Sequence, residues 1–206
     1  MKRFVAIICI VAAVFVLCAC NDNTPVEGQE NSKTEGTVIA ENSNFTVTKL
    51  TGEDGVVKYS YEIKSRDGEV MEHALCAEQP RIAQINDNLV GIRFTANDHT
   101  FSRYYDIKNG VVSESIKNAF WDNGELVASN DYDNGHYFLV QSIFGGEVYS
   151  KTEIQSSSWQ ITVLATELSK DGTVLSVSYV HGDGSDAKAR INTVRLSLVQ
   201  ESDKAA

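Results

Sequence analysis

Val57-Lys58-Tyr59-Ser60-Tyr61-Glu62-Ile63-Lys64 carries an apolar side chain at every second position and a polar or charged one between. A period of two is that of a strand with one face turned inward. Val, Tyr and Ile at the apolar positions suit a pleated, half-buried surface. The run breaks at Ser65-Arg66-Asp67-Gly68 and resumes at Glu69-Val70, which makes a strand, a Gly-containing turn and the start of a return strand.

The same rhythm continues in the rest of the chain. Phe101, Tyr105 and Ile107 share a face with Arg103, and Phe138, Val140 and Phe144 share one with His136 and Ser142. Trp159, Ile161, Val163 and Ala165 alternate with Gln160, Thr162, Leu164 and Thr166. Leu175, Val177 and Tyr179 oppose Val174, Ser176, Ser178 and Val180. Between these runs lie Asn86-Asp87-Asn88, Asn109-Gly110, Asn123-Gly124, Asp133-Asn134-Gly135, Gly145-Gly146 and Asp171-Gly172. Gly and Asn accept the positive φ of tight hairpin turns. No stretch keeps a 3.6-residue stripe, so at most one short helix is expected, near Ser115–Phe120. The expectation is an all-β fold of antiparallel hairpins.

Four segments look alike: Phe45–Leu75, Pro80–Ile116, Phe120–Ile154 and Trp159–Leu196. In each, strands are followed by a Gly-containing turn and a final strand, as in Tyr105-Asp106-Ile107-Lys108-Asn109-Gly110-Val111. This pattern is similar to the blades of β-propellers, and the resemblance implies about four blade-like repeats. Trp121-Asp122 occurs once and does not recur as a blade signature. A β-sandwich or an up-and-down barrel would use the same hairpins, and both stay open as alternatives.

The N-terminus reads as an address. Lys2 and Arg3 precede an apolar run, Phe4 to Ala19, that is short for a spanning helix and fits a signal peptide. It ends in Leu17-Cys18-Ala19-Cys20, which resembles the lipobox of bacterial lipoproteins. The resemblance implies cleavage after Ala19 and a lipid on Cys20, which would hold the protein on the extracytoplasmic face of the cell membrane or outer membrane. Two or more acyl chains suffice for stable anchoring. Residues 20–36 then form a polar tether that reaches about 20–25 Å, residues 37–200 the β domain, and residues 201–206 a polar tail.

Charge and cysteine usage agree with this reading. The chain has 206 residues, 42% of them hydrophobic, and a net charge of −10, and its length is enough for one ordinary domain or two small ones. The first 19 residues hold two of the 18 basic residues and none of the 28 acidic ones, so the remainder carries −12. Such a domain is a poor partner for nucleic acid and for anionic lipid headgroups. With Cys9 and Cys18 in the leader and Cys20 lipidated, only Cys76 keeps a thiol. It lies in the apolar-rich Met71–Ala77 stretch with no His or basic cluster beside it in sequence, as suits a buried, unreactive residue.

Motifs for chemistry are absent. There is no G-x-S-x-G, H-E-x-x-H, Walker A or G-x-G-x-x-G sequence. His73, His99, His136 and His181 share no ligand spacing, so no metal, cofactor or catalytic residue is expected, and the histidines read as surface or strand-end residues. Two acidic loops, Asn130–Gly135 and His181–Asp186, have oxygen ligands of the kind calcium takes, but turn chemistry accounts for them as well. Phe120-Trp121 stands outside the alternation. It is either an aromatic platform for a glycan or protein partner, or a cap on the core at a sheet end. The expected function is therefore a lipid-anchored binding protein of the cell envelope. An envelope hydrolase acting on glycans, or an accessory or sensor subunit of an envelope complex, are the alternatives.

Overall fold

The computed structural model describes residues 35–96, 99–131, 135–154, 161–182 and 190–200. The lipobox with Cys20, Trp159, the end segment 201–206, and residues 132–134 and 183–186 of the two acidic loops lie outside the described residues.

Sixteen strands fill the described chain, and they fall into four antiparallel sheets in chain order. Sheet I holds β1 (Glu35–Glu41), β2 (Phe45–Thr51), β3 (Val57–Lys64) and β4 (Val70–Cys76). Sheet II holds β5 (Arg81–Asn86), β6 (Leu89–Ala96), β7 (His99–Asp106) and β8 (Val111–Val112), with β9 (Ile116–Lys117) also pairing with β7. Sheet III holds β10 (Ala119–Asp122), β11 (Leu126–Asp131), β12 (Tyr137–Ser142) and β13 (Val148–Glu153). Sheet IV holds β14 (Ile161–Leu168), β15 (Val174–His181) and β16 (Asn192–Ser197). Within each sheet, neighbours in sequence are neighbours in space, β9 alone among the described strands skipping its predecessor to pair with β7. The all-β fold of four blade-like hairpin units is thus the observed one, and the hairpins build neither a two-sheet sandwich nor a single barrel. β1 adds a strand ahead of the first repeat.

Alternation explains how the sheets pack. Phe45, Val47, Tyr61 and Ile63 of sheet I meet Val90, Ile92, Tyr105 and Ile107 of sheet II and its following turn. The next residues along, Leu89 and Tyr104, point to the other face and meet Ala119, Val127 and Ile143. Leu126, Ala128, Phe138 and Val140 then face Ile161, Leu175, Val177 and Leu196 of sheet IV. Sheets II and III are therefore covered on both faces. Each buried aliphatic or aromatic side chain contributes about 1.5–3 kcal/mol.

The end sheets turn polar faces outward. On sheet I, Thr46, Glu62 and His73 form one cross-strand row, with Thr48 and Ser60 in the next. On sheet IV, Ser176 pairs with Arg195 and Ser178 with Thr193. Among the described residues no core cluster joins sheet IV to sheet I. Polar outer faces are what the terminal units of a repeat stack need.

Three local expectations are corrected. The stretch Ser115–Phe120 is not helical: it is β9, then Asn118 at φ +50°, then the start of β10. The chain crosses there from sheet II to sheet III. Asn118 donates its N–H to Thr100 O at 2.6 Å and accepts from Asn130 N at 3.2 Å, so the backbone is held between two sheets instead of bonding to itself. Phe144 does not share the face of Phe138 and Val140. Ser142 Oγ accepts the N–H groups of Gly145 and Glu147, the chain turns, and Phe144 is exposed. A bulge between Val163 and Ala165 likewise ends the alternation in β14 and leaves Ala165 exposed.

Candidate functional site

The first strand of each sheet is an edge strand. The edge strand β14 runs along a groove of about 670 Å³, which the start of β5, the start of β10, the end of β6 and the start of β7 also line.

Arg81 opens β5 directly after Pro80, which is buried and ends the connection from sheet I. A proline just before an edge strand forfeits no ladder hydrogen bond. Arg81 stands directly opposite Arg93 of β6, and both line the groove. Like charges directly opposite one another are unfavourable in a sheet. Neither guanidinium belongs to an ion pair among the described residues; the two pairs there are Lys64–Glu62 and Arg103–Glu72. Arg93 donates from Nε to Ser102 Oγ at 3.4 Å, a long contact that leaves its terminal nitrogens uncommitted. Around the two arginines lie Gln79, Thr95, Thr100 and Asn118, with Phe94 and Phe120 as apolar surfaces. Glu78 is the one carboxylate lining the groove among the described residues.

Arg81 and Arg93 also line a second cavity of about 220 Å³, between sheets II and III. Tyr104 and Asp122 close it, with Tyr104 donating its hydroxyl to Asp122 Oδ2 at 3.2 Å. Burial pushes the Asp122 carboxyl above the ordinary carboxylate value, against the opposing pull of the Tyr104 bond and of Arg93. Burial, and then the Asp122 charge, push the Tyr104 hydroxyl up, so it remains a donor at neutral pH.

A separate polar cluster joins sheets I and II. Tyr61 donates its hydroxyl to Glu72 Oε1 at 2.5 Å, and Arg103 donates from Nη1 to Glu72 Oε2 at 2.7 Å. Arg103 also donates to Ser115 Oγ from Nε and Nη2. Burial, followed by neighbouring negative charge, raises both the Tyr61 and Tyr105 hydroxyls. Both therefore stay protonated, and the cluster lines neither cavity. Its geometry is that of a clamp between sheets.

Phe120 and Trp121 lie at a bulge in β10: Ala119 pairs with Ser129 and Trp121 with Ala128, so Phe120 is the extra residue. The bulge turns two consecutive aromatics toward the core between sheets III and IV, where both are half-buried. Phe120 meets Phe138 edge-on, 5.4 Å between centroids at 73°, and also lines the groove. Trp121 lines neither cavity. The four histidines lie apart. His73 shares a 2.9 Å hydrogen bond with Ser60 on the outer face of sheet I, and His181 packs edge-on against Tyr179. Among the described residues no cluster of His, Cys, Asp and Glu could hold a metal ion. Cys76 is half-buried against the core of sheets I and II.

Sequence reasoning passed over Arg81 and Arg93. A signal was present: both are six residues from Asp87, the centre of the Asn86-Asp87-Asn88 turn, and a tight hairpin brings such residues together.

No family model matches the chain, and no curated protein matches its sequence. Among solved structures it is similar to the β-propeller domain of the Trilobed protease from Pyrococcus furiosus, described as having an open velcro topology. The two are 10% identical with a TM-score of 0.40, and the match covers 81% of this chain and 56% of that one. The chain thus spans little more than half the length of that structure.

Proposed function

We propose that the protein is a lipid-anchored binding protein of the bacterial cell envelope, held by Cys20 and presenting the groove along β5, β10 and β14 to a glycan or protein partner. The observation that carries the binding half is the make-up of the groove. Arginines, amides, hydroxyls and two phenyl rings converge there against the aliphatic side chains of β14, with Glu78 as the one carboxylate among the described residues. Hydrolysis of a glycosidic bond by the usual route needs two carboxyl groups flanking the bond. Asp122, with its raised carboxyl, sits in the adjoining cavity and is the residue a hydrolase would use as its acid.

The anchoring half rests on Leu17-Cys18-Ala19-Cys20. In cells, Cys20→Ser should move the protein out of the membrane fraction or leave it as an unprocessed precursor, and its intact mass should lack the lipid. An unchanged fractionation and mass would defeat the anchor. For the groove, oligosaccharide that has been bound should be recovered at its original length. Shortened products that disappear with Asp122→Asn would make the protein a hydrolase instead.

A further inference from the structure

Taking the groove as the binding site, we propose that Arg81 and Arg93 form a carboxylate-binding pair whose ligand is an acidic oligosaccharide.

The charge arrangement is the first reason. Two arginines are direct cross-strand partners on β5 and β6, in a chain of net charge −10. Neither arginine is in a close ion pair among the described residues, and Asp122, in the inner cavity, is the carboxylate that Arg93 attracts. Arg81 is exposed and Arg93 half-buried, and both line the groove and the inner cavity. A guanidinium presents a planar fork of donors that matches a carboxylate. An anion bound between the two would offset the like-charge repulsion that such a cross-strand pair entails.

The surroundings choose the rest of the ligand. About 670 Å³ is far more than a lone small anion fills. Thr95, Thr100, Asn118 and Gln79 supply neutral donors and acceptors that suit sugar hydroxyls, while Phe94 and Phe120 offer apolar area for a pyranose face. Glu78 can accept from hydroxyls but repels dense negative charge, which disfavours polyphosphates. The protein's net charge also repels anions over distances of about 8 Å at physiological salt, so affinity must come from direct contact rather than steering.

The full lipidated protein, in neutral detergent micelles, is titrated by calorimetry with three probes: tri-galacturonate, the neutral galactose trimer and inorganic phosphate. The acidic trimer should bind at least tenfold more tightly than the neutral one, and phosphate more weakly than either. Arg81→Gln should weaken the acidic trimer at least tenfold more than it weakens the neutral trimer. Its melting temperature should hold or rise, because a like-charge pair is removed. Arg93→Gln, which changes a half-buried side chain, serves as a second variant. Thr166→Trp, on the exposed end of β14 that lines the groove, should block both trimers. Equal binding of the two trimers, both blocked by Thr166→Trp, overturns the arginine pair while the groove stands. Acidic-trimer binding untouched by Thr166→Trp and by Arg81→Gln overturns the groove reading with it. Phosphate binding as tightly as the acidic trimer overturns the assignment to a sugar, and binding of neither trimer at millimolar concentration overturns the proposal.

Discussion

β11 and β4 are both short strands of ordinary hairpins, yet they live in different surroundings. Leu126 to Asn130 of β11 are five consecutive buried residues, whereas Val70 and Leu75 of β4 are more than half exposed. Sheet III has a neighbour on each face and sheet I has one. The difference lies in what a polar residue must do. On sheet I the outward threonines, serines and charged residues meet water. In sheets II and III and the chain that joins them, Ser102, Ser113, Ser129 and Asn130 are buried, and buried polar groups need partners. Ser113 Oγ accepts from Tyr104 N at 3.0 Å and donates to Glu114 O at 2.8 Å. Residues of the more polar central sheets also line the groove and its side cavity.

The largest test of this contrast is truncation. Phe138, fully buried in sheet III, packs edge-on against Phe120 and Tyr179. Phe138→Ala should cost about 3–5 kcal/mol by loss of buried area and by the cavity left behind. Leu75→Ala, on the outer face of sheet I at 62% exposure, should change stability by no more than about 0.5 kcal/mol. Urea unfolding at constant slope measures both. A substantial loss for Leu75→Ala would mean that the outer face of sheet I is covered by something, and the open-ended stack would have to be redrawn.

The same contrast explains what could be read from the sequence. Alternation finds a strand with one buried face, so Tyr61 and Ile63 of sheet I, and Leu175 and Val177 of sheet IV, were legible as inward residues. The turns at Asn109-Gly110, Asn123-Gly124, Gly145-Gly146 and Asp171-Gly172 were legible too, and Gly110, Gly124, Gly146 and Gly172 all have positive φ. The two-sided burial of Leu126-Val127-Ala128 was not, because period two does not say whether the second face also meets a sheet. Register shifts were invisible as well. The bulges at Phe120 and after Val163 break the pattern at the groove, where edge strands are least constrained by neighbours. The arginine pair needs the register of β5 against β6, which the turn suggests but the apolar pattern of Ile82 and Ile92 alone does not single out.

Turn glycines give a test of middle size. Gly124 (φ +93°) closes the β10–β11 hairpin against the β5–β6 turn, and an added Cβ would stand 2.9 Å from Asn86 Nδ2. Gly172 (φ +72°), in the β14–β15 turn of the end sheet, has open space around it. Gly172→Ala should cost about 1–2 kcal/mol from backbone conformation alone. Gly124→Ala should cost more, because Asn86 must also move. Equal losses in thermal unfolding would show that the central hairpin is no more tightly packed than the terminal one.

The smallest effects should have opposite signs in the two regions. Asp122 is partly buried between sheets II and III, and burial raises its carboxyl above the unfolded value. The native state then binds the proton more tightly, so this group lowers stability as pH rises from the ordinary carboxylate value through the raised one. Asp171 lies exposed in the β14–β15 turn. Its carboxyl is pulled down to about 2 by the Ser169 hydroxyl at 2.6 Å and by Thr173 N at 3.2 Å. Its contribution is present above the ordinary carboxylate value and disappears as pH falls toward about 2. Asp122→Asn keeps an acceptor for Tyr104 and should raise the melting temperature at pH 7, with the gain shrinking below the ordinary carboxylate value. Asp171→Asn should lower the melting temperature slightly at pH 7, with the loss fading in acid. If both substitutions shift stability the same way at neutral pH, hydrogen bonding and not burial governs Asp122, and the central layer is wetter than its two covered faces imply.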